Sequence, residues 1–257
     1  MSGDLDGRAV LVTGAASGIG RATALEVAGR GGSVLGLDRD ADMLVETTNL
    51  VTAAGGSIEI VAGDVGDEDT VAEAVARAVD AFGRLDGVVT SAGIFAGDDL
   101  QPIESITLDT FLNVLRVNLA GTFLAVKYAL PHLRREDGEV TGSVVTIAST
   151  AAIRGHGFGA GYTASKGGVA AFTRLVAVQG GPQGIRANCI CPGGVDTPMT
   201  GGSFKTDEQR ARFKRTVPLG HVAQADEIAS VAGFLLSDGA RYVTGQVLAV
   251  DGGATTT

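Results

Sequence analysis

The chain reads as one α/β domain built on a parallel sheet covered by helices on both faces. Three observations predict this. Short β-rich apolar runs alternate with stretches of 3.6-residue apolar periodicity along all 257 residues. The runs are continuously apolar, as strands buried on both faces are, instead of alternating apolar with polar. No linker, repeat or low-complexity segment interrupts the pattern, so residues 1–257 form a single expected domain.

The strands are expected at Ala9–Thr13, Ser33–Leu37, Ser57–Ala62, Gly87–Thr90, Ser143–Ala148, Arg186–Ile190 and Val247–Val250. Val71, Val75, Ala78, Val79 and Phe82 form an apolar stripe at helical spacing. Asp67, Glu68 and Asp69 stand at its start, where the helix dipole favours acids. Residues 105–135 predict one long helix or two abutting ones, with Pro131 bending the last turns. Ile228, Val231, Ala232, Leu235 and Leu236 mark a later helix that opens on Asp226 and Glu227. Gly194–Thr216, with Gly201-Gly202 inside it, carries the weakest pattern. It reads either as a lid over a site, spanning about 194–216, or as a solvated surface helix.

Composition narrows the function. The 39 glycines have no collagen-like period and lie among aliphatic runs, which argues for tight turns and close backbone approaches. A net charge of −9 weighs against nucleic acid or an anionic membrane as partner. Cys189 and Cys191 are two small buried residues on one strand face, with too little chain between them for a bridge. The three histidines are scattered and match no ligand spacing, so no metal is expected. The N-terminal residues lack a signal-peptide pattern and no apolar run is long enough to span a membrane, so the expected location is cytoplasmic.

Chemistry begins at the first strand's end, in Thr13-Gly14-Ala15-Ala16-Ser17-Gly18-Ile19-Gly20, with a helix from about Arg21. Glycines there let the backbone approach a pyrophosphate, and a helix N-terminus offers free N–H groups and a positive dipole end. The second strand ends in Asp38, placed as the acid that binds an adenosine ribose. A carboxylate at that point repels a 2′-phosphate, which favours NAD over NADP; Arg39 follows and softens the exclusion. Further along, Tyr162 and Lys166 stand one helical turn apart, with Ser149 upstream at a strand end. An ammonium on the same helix face is expected to lower the tyrosine pKa and make it an acid/base for an alcohol or ketone.

With these motifs in this order, the chain resembles the short-chain dehydrogenase/reductase family over nearly its whole length. Asp64-Val65, Asn118, Pro192-Gly193 with Thr197-Pro198, and Asp251-Gly252-Gly253 match further family segments. The resemblance implies a doubly wound Rossmann sheet of seven parallel strands in order 3-2-1-4-5-6-7, and commonly a homo-tetramer. It implies hydride exchange between a nicotinamide and a carbonyl or alcohol carbon. By the same carry-over, Tyr162 is the general acid/base, Lys166 tunes it and holds the nicotinamide ribose, Ser149 orients the substrate oxygen, and Asn118 positions a proton relay. Gly14, Ser17, Gly18, Ile19, Gly20, Asp38, Asp64, Val65, Ser91, Ala92, Gly93, Tyr162, Lys166, Pro192, Gly193, Val195 and Thr197 are the expected cofactor residues.

The chain departs from the family pattern in places. Thr90-Ser91-Ala92-Gly93 stands where the family has Asn-Asn-Ala-Gly, which puts the contact made by Ser91 in question. Gly180-Gly181 near a helix end is expected to weaken that helix by about 1 kcal/mol per glycine, and His221 replaces a common arginine without a catalytic role. The expected substrate is a small or medium, mostly uncharged secondary alcohol or ketone, with Phe95, Arg154, His156 and Phe158 on segments that border it. A 3-oxoacyl-thioester reductase is the alternative, with Arg134-Arg135 or Arg210, Arg212, Lys214 and Arg215 as a patch for an acidic carrier. A non-catalytic dinucleotide-binding sensor or scaffold is the remote one.

Overall fold

The computed structural model describes residues 3–134, 142–155, 158–201, 203–204 and 206–256. Seven parallel strands form one sheet in the order β3-β2-β1-β4-β5-β6-β7. They are β1 (Ala9–Thr13), β2 (Ser33–Asp38), β3 (Ser57–Ala62), β4 (Gly87–Thr90), β5 (Gly142–Ile147), β6 (Ile185–Pro192) and β7 (Val247–Val250). Four of the seven match the expected bounds, and the others differ by one or two residues at an end. Helices α1 (Gly18–Gly29), α2 (Ala41–Ala53) and α3 (Glu68–Phe82) cover the first half. Helices α4 (Leu108–Leu115), α5 (Gly121–Leu133), α6 (Ala160–Gly180), α7 (Asp207–Lys214) and α8 (Ala225–Leu236) follow.

Two cores explain why the strands are apolar throughout. One face of the sheet packs Leu11, Val88 and Val144 against Val71, Val75, Ala125 and Val176 of α3, α5 and α6. The other packs Val10, Val12, Val89 and Val145 against Ala24, Val27, Ile228 and Leu235 of α1 and α8. Adjacent strand residues therefore point into different cores, and neither face tolerates a polar alternation. Cys189 and Cys191 are free, buried side chains of β6 that share a smaller cluster with Val169 and Ala170.

Local chemistry sets the helix ends. Asp67 caps α3 by accepting from Asp69 N at 3.1 Å, and Gly83 ends it at φ +70°, where a side chain would be strained. The expected helical region holds two abutting helices, α4 and α5, joined by one π-helical turn at Arg116–Ala120. Pro131 lies in the last turn of α5, two residues before its end at Leu133, so the intrahelical bond it removes is confined to that turn. Gly180 and Gly181 do not weaken a helix interior, because α6 ends at Gly180 and Gly181 is already its cap. A side chain at Gly180 would press on Ile185, with its Cβ 3.0 Å from the isoleucine Cβ. Packing against Ile185 accounts for that glycine.

Register aligns the strand ends. Thr13 pairs with Leu37 and Thr90, and Thr90 pairs with Thr146. The loops leaving β1 and β4 diverge at the switch point between these neighbours, where α/β sheets bind ligands.

Candidate active site

The glycine loop builds a cradle at that switch point. Helix α1 begins at Gly18, three residues earlier than periodicity indicates, because the loop glycines themselves enter the first turn. Ser17 precedes it with no side-chain cap bond, and no acid occupies the first turn. The leading N–H groups thus face the cleft without a competing protein anion. Gly14 has φ +73°, and a Cβ there would stand 2.7 Å from Ala92 N. Only glycine lets the β1 and β4 loops meet this closely.

A cleft of about 310 Å³ runs from this loop to α6. It is lined by Gly14, Ser17, Gly18, Ile19, Asp38, Asp64, Val65, Ser91, Ala92, Gly93, Pro192, Gly193, Val195 and Thr197, together with Ser149, Tyr162 and Lys166. Gly20 is the one expected cofactor residue outside this lining. It is buried behind the loop, where a Cβ would collide with the Gly14 carbonyl, so its part is packing. Asn118 is also set back from the cleft wall. The donor set fits a dinucleotide: free helix N–H groups for a pyrophosphate, and Asp38 and Asp64 beyond them for the adenosine end.

Asp38 has work within the fold. Its carboxylate accepts from Ala16 N and Asp40 N, both at 3.1 Å, tying the loop to β2. Arg39 lines the cleft beside it. Burial acts to raise the Asp64 pKa. The Arg116 hydrogen bond at 2.8 Å, the Gly66 N–H and the charges of Arg116 and Arg39 outweigh it and hold the carboxyl below its ordinary value. Ser91 contributes its backbone: its N–H donates to Thr13 O at 3.2 Å. Thr90, beside it, buries a hydroxyl with no partner among the described residues.

Ser149 follows β5 in extended backbone, and its Oγ accepts from Ala151 N at 3.1 Å. Tyr162 and Lys166 lie on the buried face of α6. Lys166 Nζ donates to Ile147 O at 2.9 Å and stands 5.7 Å from the Tyr162 ring centre. The phenol is not lowered in pKa as the sequence suggests. Burial pushes it up, outweighing the Ser149 hydrogen bond, which acts to lower it. Lys166 responds instead: burial pushes its pKa down to about 8. Burial disfavours both charged forms.

Asn118 sits in the π turn, a frequent feature of functional sites. Its Oδ1 accepts from Ile94 N at 2.7 Å, while Nδ2 donates to Ile94 O and Ser165 Oγ, both at 3.1 Å. It pins the loop after β4 to α6. Phe95 meets the Tyr162 ring edge-on at 5.2 Å and Phe158 stacks on it at 5.6 Å. His156 and Arg135 lie outside the described residues. His221 pairs with Glu227 at 2.9 Å on the surface. Segment 194–216 is not wholly irregular: α7 occupies its second half, held by Arg210 on Asp196 at 2.6 Å.

One residue of the site was missed from sequence. Asp99 is fully buried, and its carboxylate accepts from Gly161 N at 2.7 Å and Tyr162 N at 2.8 Å. It caps α6 from a distant loop, in place of Gly159, which has no side chain to do so. The small residues Gly159 and Gly161 were the available signal, since a Cβ at Gly159 would overlap the Asp99 carboxylate.

A family model described as "Enoyl-(Acyl carrier protein) reductase" matches residues 14–255. The chain belongs to the short-chain dehydrogenase/reductase family. It is 40% identical over 254 residues to levodione reductase of Leifsonia aquatica, covering 96% of this chain and 93% of that protein. The levodione reductase crystal structure superposes with a TM-score of 0.91 at 37% identity, covering 98% of this chain and 99% of that one. Cis-4-hydroxycyclohexanecarboxylate dehydrogenase of Sinomonas cyclohexanicum is 37% identical over 248 residues, covering 96% of each. Carveol dehydrogenase from Mycobacterium avium, crystallised in complex with NAD, gives a TM-score of 0.92 at 28% identity, covering 99% of this chain and 100% of that one. The chain is thus a short-chain oxidoreductase that acts on CH–OH substrates with a nicotinamide dinucleotide. No helix among the described residues is long and apolar enough to cross a membrane.

Proposed function

We propose an NAD(H)-dependent secondary alcohol dehydrogenase or ketone reductase in which Tyr162 moves the proton. The observation that carries this reading is the convergence of Ser149, Tyr162 and Lys166 on one wall of the glycine-loop cleft. When bound, the nicotinamide dinucleotide exchanges the hydride. The loop from Gly14 to Gly20 receives the pyrophosphate and Asp38 the adenosine ribose, with Asp64 and Val65 beside the adenine. Ser149 Oγ and Tyr162 Oη hold the substrate oxygen, and the phenol gives or takes its proton. Lys166 holds the nicotinamide ribose and favours the phenolate that remains after the proton leaves. Asn118 links Lys166 towards solvent as a relay, and segment 194–216 closes over the substrate as a lid.

NAD is favoured over NADP because the Asp38 carboxylate repels a 2′-phosphate. A cytoplasmic homo-tetramer is the proposed form. Leu108, Leu112, Phe123, Leu175 and Val178 leave an apolar face exposed on α4, α5 and α6. Phe234, Tyr242 and Leu248 expose a second one near α8 and β7. Two such faces suit two kinds of subunit contact.

A 3-oxoacyl-thioester reductase is the second reading, favoured by the acyl carrier protein in the family model's description. The basic patch it requires is reduced here, because Asp196 neutralises Arg210. Steady-state turnover of a ketone and alcohol panel with NAD(H) and NADP(H) tests the proposal. Tyr162→Phe should keep NAD affinity within about twofold and lower kcat at least about a hundredfold. Unchanged turnover in that variant, or a strong NADPH preference in the parent, would overturn it.

A further inference from the structure

A second cavity, an open groove of about 880 Å³, lies against the catalytic wall. Three segments line it: the stretch after Ser149 with Thr150, Arg154 and Phe158, the end of α7 with Phe213 and Arg215, and residues 254–255. Thr150 directly follows Ser149, and Phe158 stacks on the Tyr162 ring at an interplanar angle of 27°. The inner end of the groove thus lies one residue from Ser149 and one ring from Tyr162.

Its charge is opposite to that of the protein. The chain carries 29 acidic and 20 basic residues, yet among the described residues this groove is lined by two arginines and no Asp or Glu. Neither guanidinium is in an ion pair among the described residues. Arg154 donates to the Ala254 carbonyl through one nitrogen, which leaves most of its five donors for another partner. Arg210, inside α7, is already neutralised by Asp196. The nearest acid in sequence, Asp251, is committed to Gly253 N at 2.9 Å and Thr255 N at 2.8 Å. A guanidinium fork left open in a cavity matches the two oxygens of a carboxylate.

We propose that the substrate carries a carboxylate at the end remote from its reacting carbon, bound by Arg154 and Arg215. This rests on the alcohol/ketone reading of the site. Phe158 stands between Tyr162 and the groove, so the chain joining the two ends of the substrate is apolar. The mostly uncharged substrate expected from sequence is replaced by an anionic one. A protein of net charge −9 repels anions at large, and a local pair of cations is what admits one.

Matched methyl ketones, each as the ω-carboxylate and its primary amide with two to five methylenes between, test this on the intact enzyme with its preferred cofactor. At the best length the acid should exceed the amide in kcat/KM at least about tenfold. The ratio should fall towards one in Arg154→Gln/Arg215→Gln and shrink with added salt. Equal rates for acid and amide at every length, or a preference that survives the double substitution, would overturn the proposal. Calorimetric binding of the same pairs to the enzyme–NAD complex separates it from the oxidoreductase reading. Tighter binding of acids with no turnover of any ketone would sink that reading and leave the anion site standing. Equal binding would sink the anion site alone.

Discussion

Asp99 holds the backbone N–H of Tyr162 at 2.8 Å and that of Gly161 at 2.7 Å with the two oxygens of one buried carboxylate. The bond is to the main chain of Tyr162, the proposed acid/base, so Asp99 acts as a positioning residue through the first turn of α6. Asp99→Ala leaves two buried donors unpaired and should destabilise the protein by about 2–3 kcal/mol. It should also lower kcat at least about tenfold while NAD affinity, set at the far end of the cleft, stays within about twofold. Denaturation curves and cofactor titration with kcat measured on the same preparation check this. Equal losses in cofactor affinity and kcat would mean a general loosening of the fold.

The pH profile follows from the two buried groups. Burial raises the Tyr162 pKa above its ordinary value, so the phenol is protonated at neutral pH and ready to donate to a ketone. Lys166, pushed down to about 8, is an ammonium below that pH and neutral above it. The ammonium favours the phenolate left after donation, so ketone reduction should hold level below about pH 8 and decline above it. Alcohol oxidation needs the phenolate and should rise with pH throughout. The two groups interact, so each inflection belongs to the pair. Profiles of kcat/KM from pH 6 to 10, with a deuterated hydride donor or alcohol confirming that chemistry limits, check both slopes. A flat oxidation profile would count against proton transfer by Tyr162.

Legibility in the sequence followed the range of the interactions. The strands were readable because burial on both faces makes each run apolar without help from its neighbours. The cleft lining was readable because Gly14, Asp38 and Lys166 each belong to a local motif whose chemistry repeats wherever it occurs. Asp99 was not, since its partners lie about sixty residues away and nothing in Gly97-Asp98-Asp99-Leu100 marks one acid as buried. The direction of the Tyr162 shift was missed for a related reason. Helix spacing places Lys166 beside the phenol, but the burial that pushes the phenol up depends on packing from distant segments, Phe95 and Phe158 against the ring among them.

Lys166 should cost the fold stability at neutral pH. In the unfolded chain its ammonium has the ordinary lysine pKa of 10.5, and in the folded protein about 8. The folded state thus binds the proton more weakly, and stability rises with pH between these values. Below about pH 8 the full penalty, on the order of 3 kcal/mol, applies. Lys166→Met removes it and gives up the Nζ bond to Ile147 O, worth about 1 kcal/mol. At pH 7 the variant should melt several degrees higher and lose at least about a hundredfold in kcat, with the thermal gain shrinking towards pH 10.5. Melting curves at pH 7 and 10 check the sign. A lower melting temperature at pH 7 would show that its packing outweighs its desolvation.

Asp38 has two separable parts, a charge on the cleft wall and a bond to Ala16 N that shapes the glycine loop. Asp38→Asn keeps an oxygen for Ala16 and removes the charge. It should lower the NAD-over-NADP ratio of kcat/KM at least about tenfold, helped by Arg39 on the same wall, with a small change in melting temperature. Asp38→Ala removes both parts. It should relax the ratio to a similar extent and in addition weaken NAD binding and cost about 1 kcal/mol of stability. Kinetics with both cofactors and melting curves on the two variants separate these effects. If Asp38→Asn leaves the ratio unchanged, cofactor choice lies with the shape of the loop, and the carboxylate serves only to hold Ala16 in place.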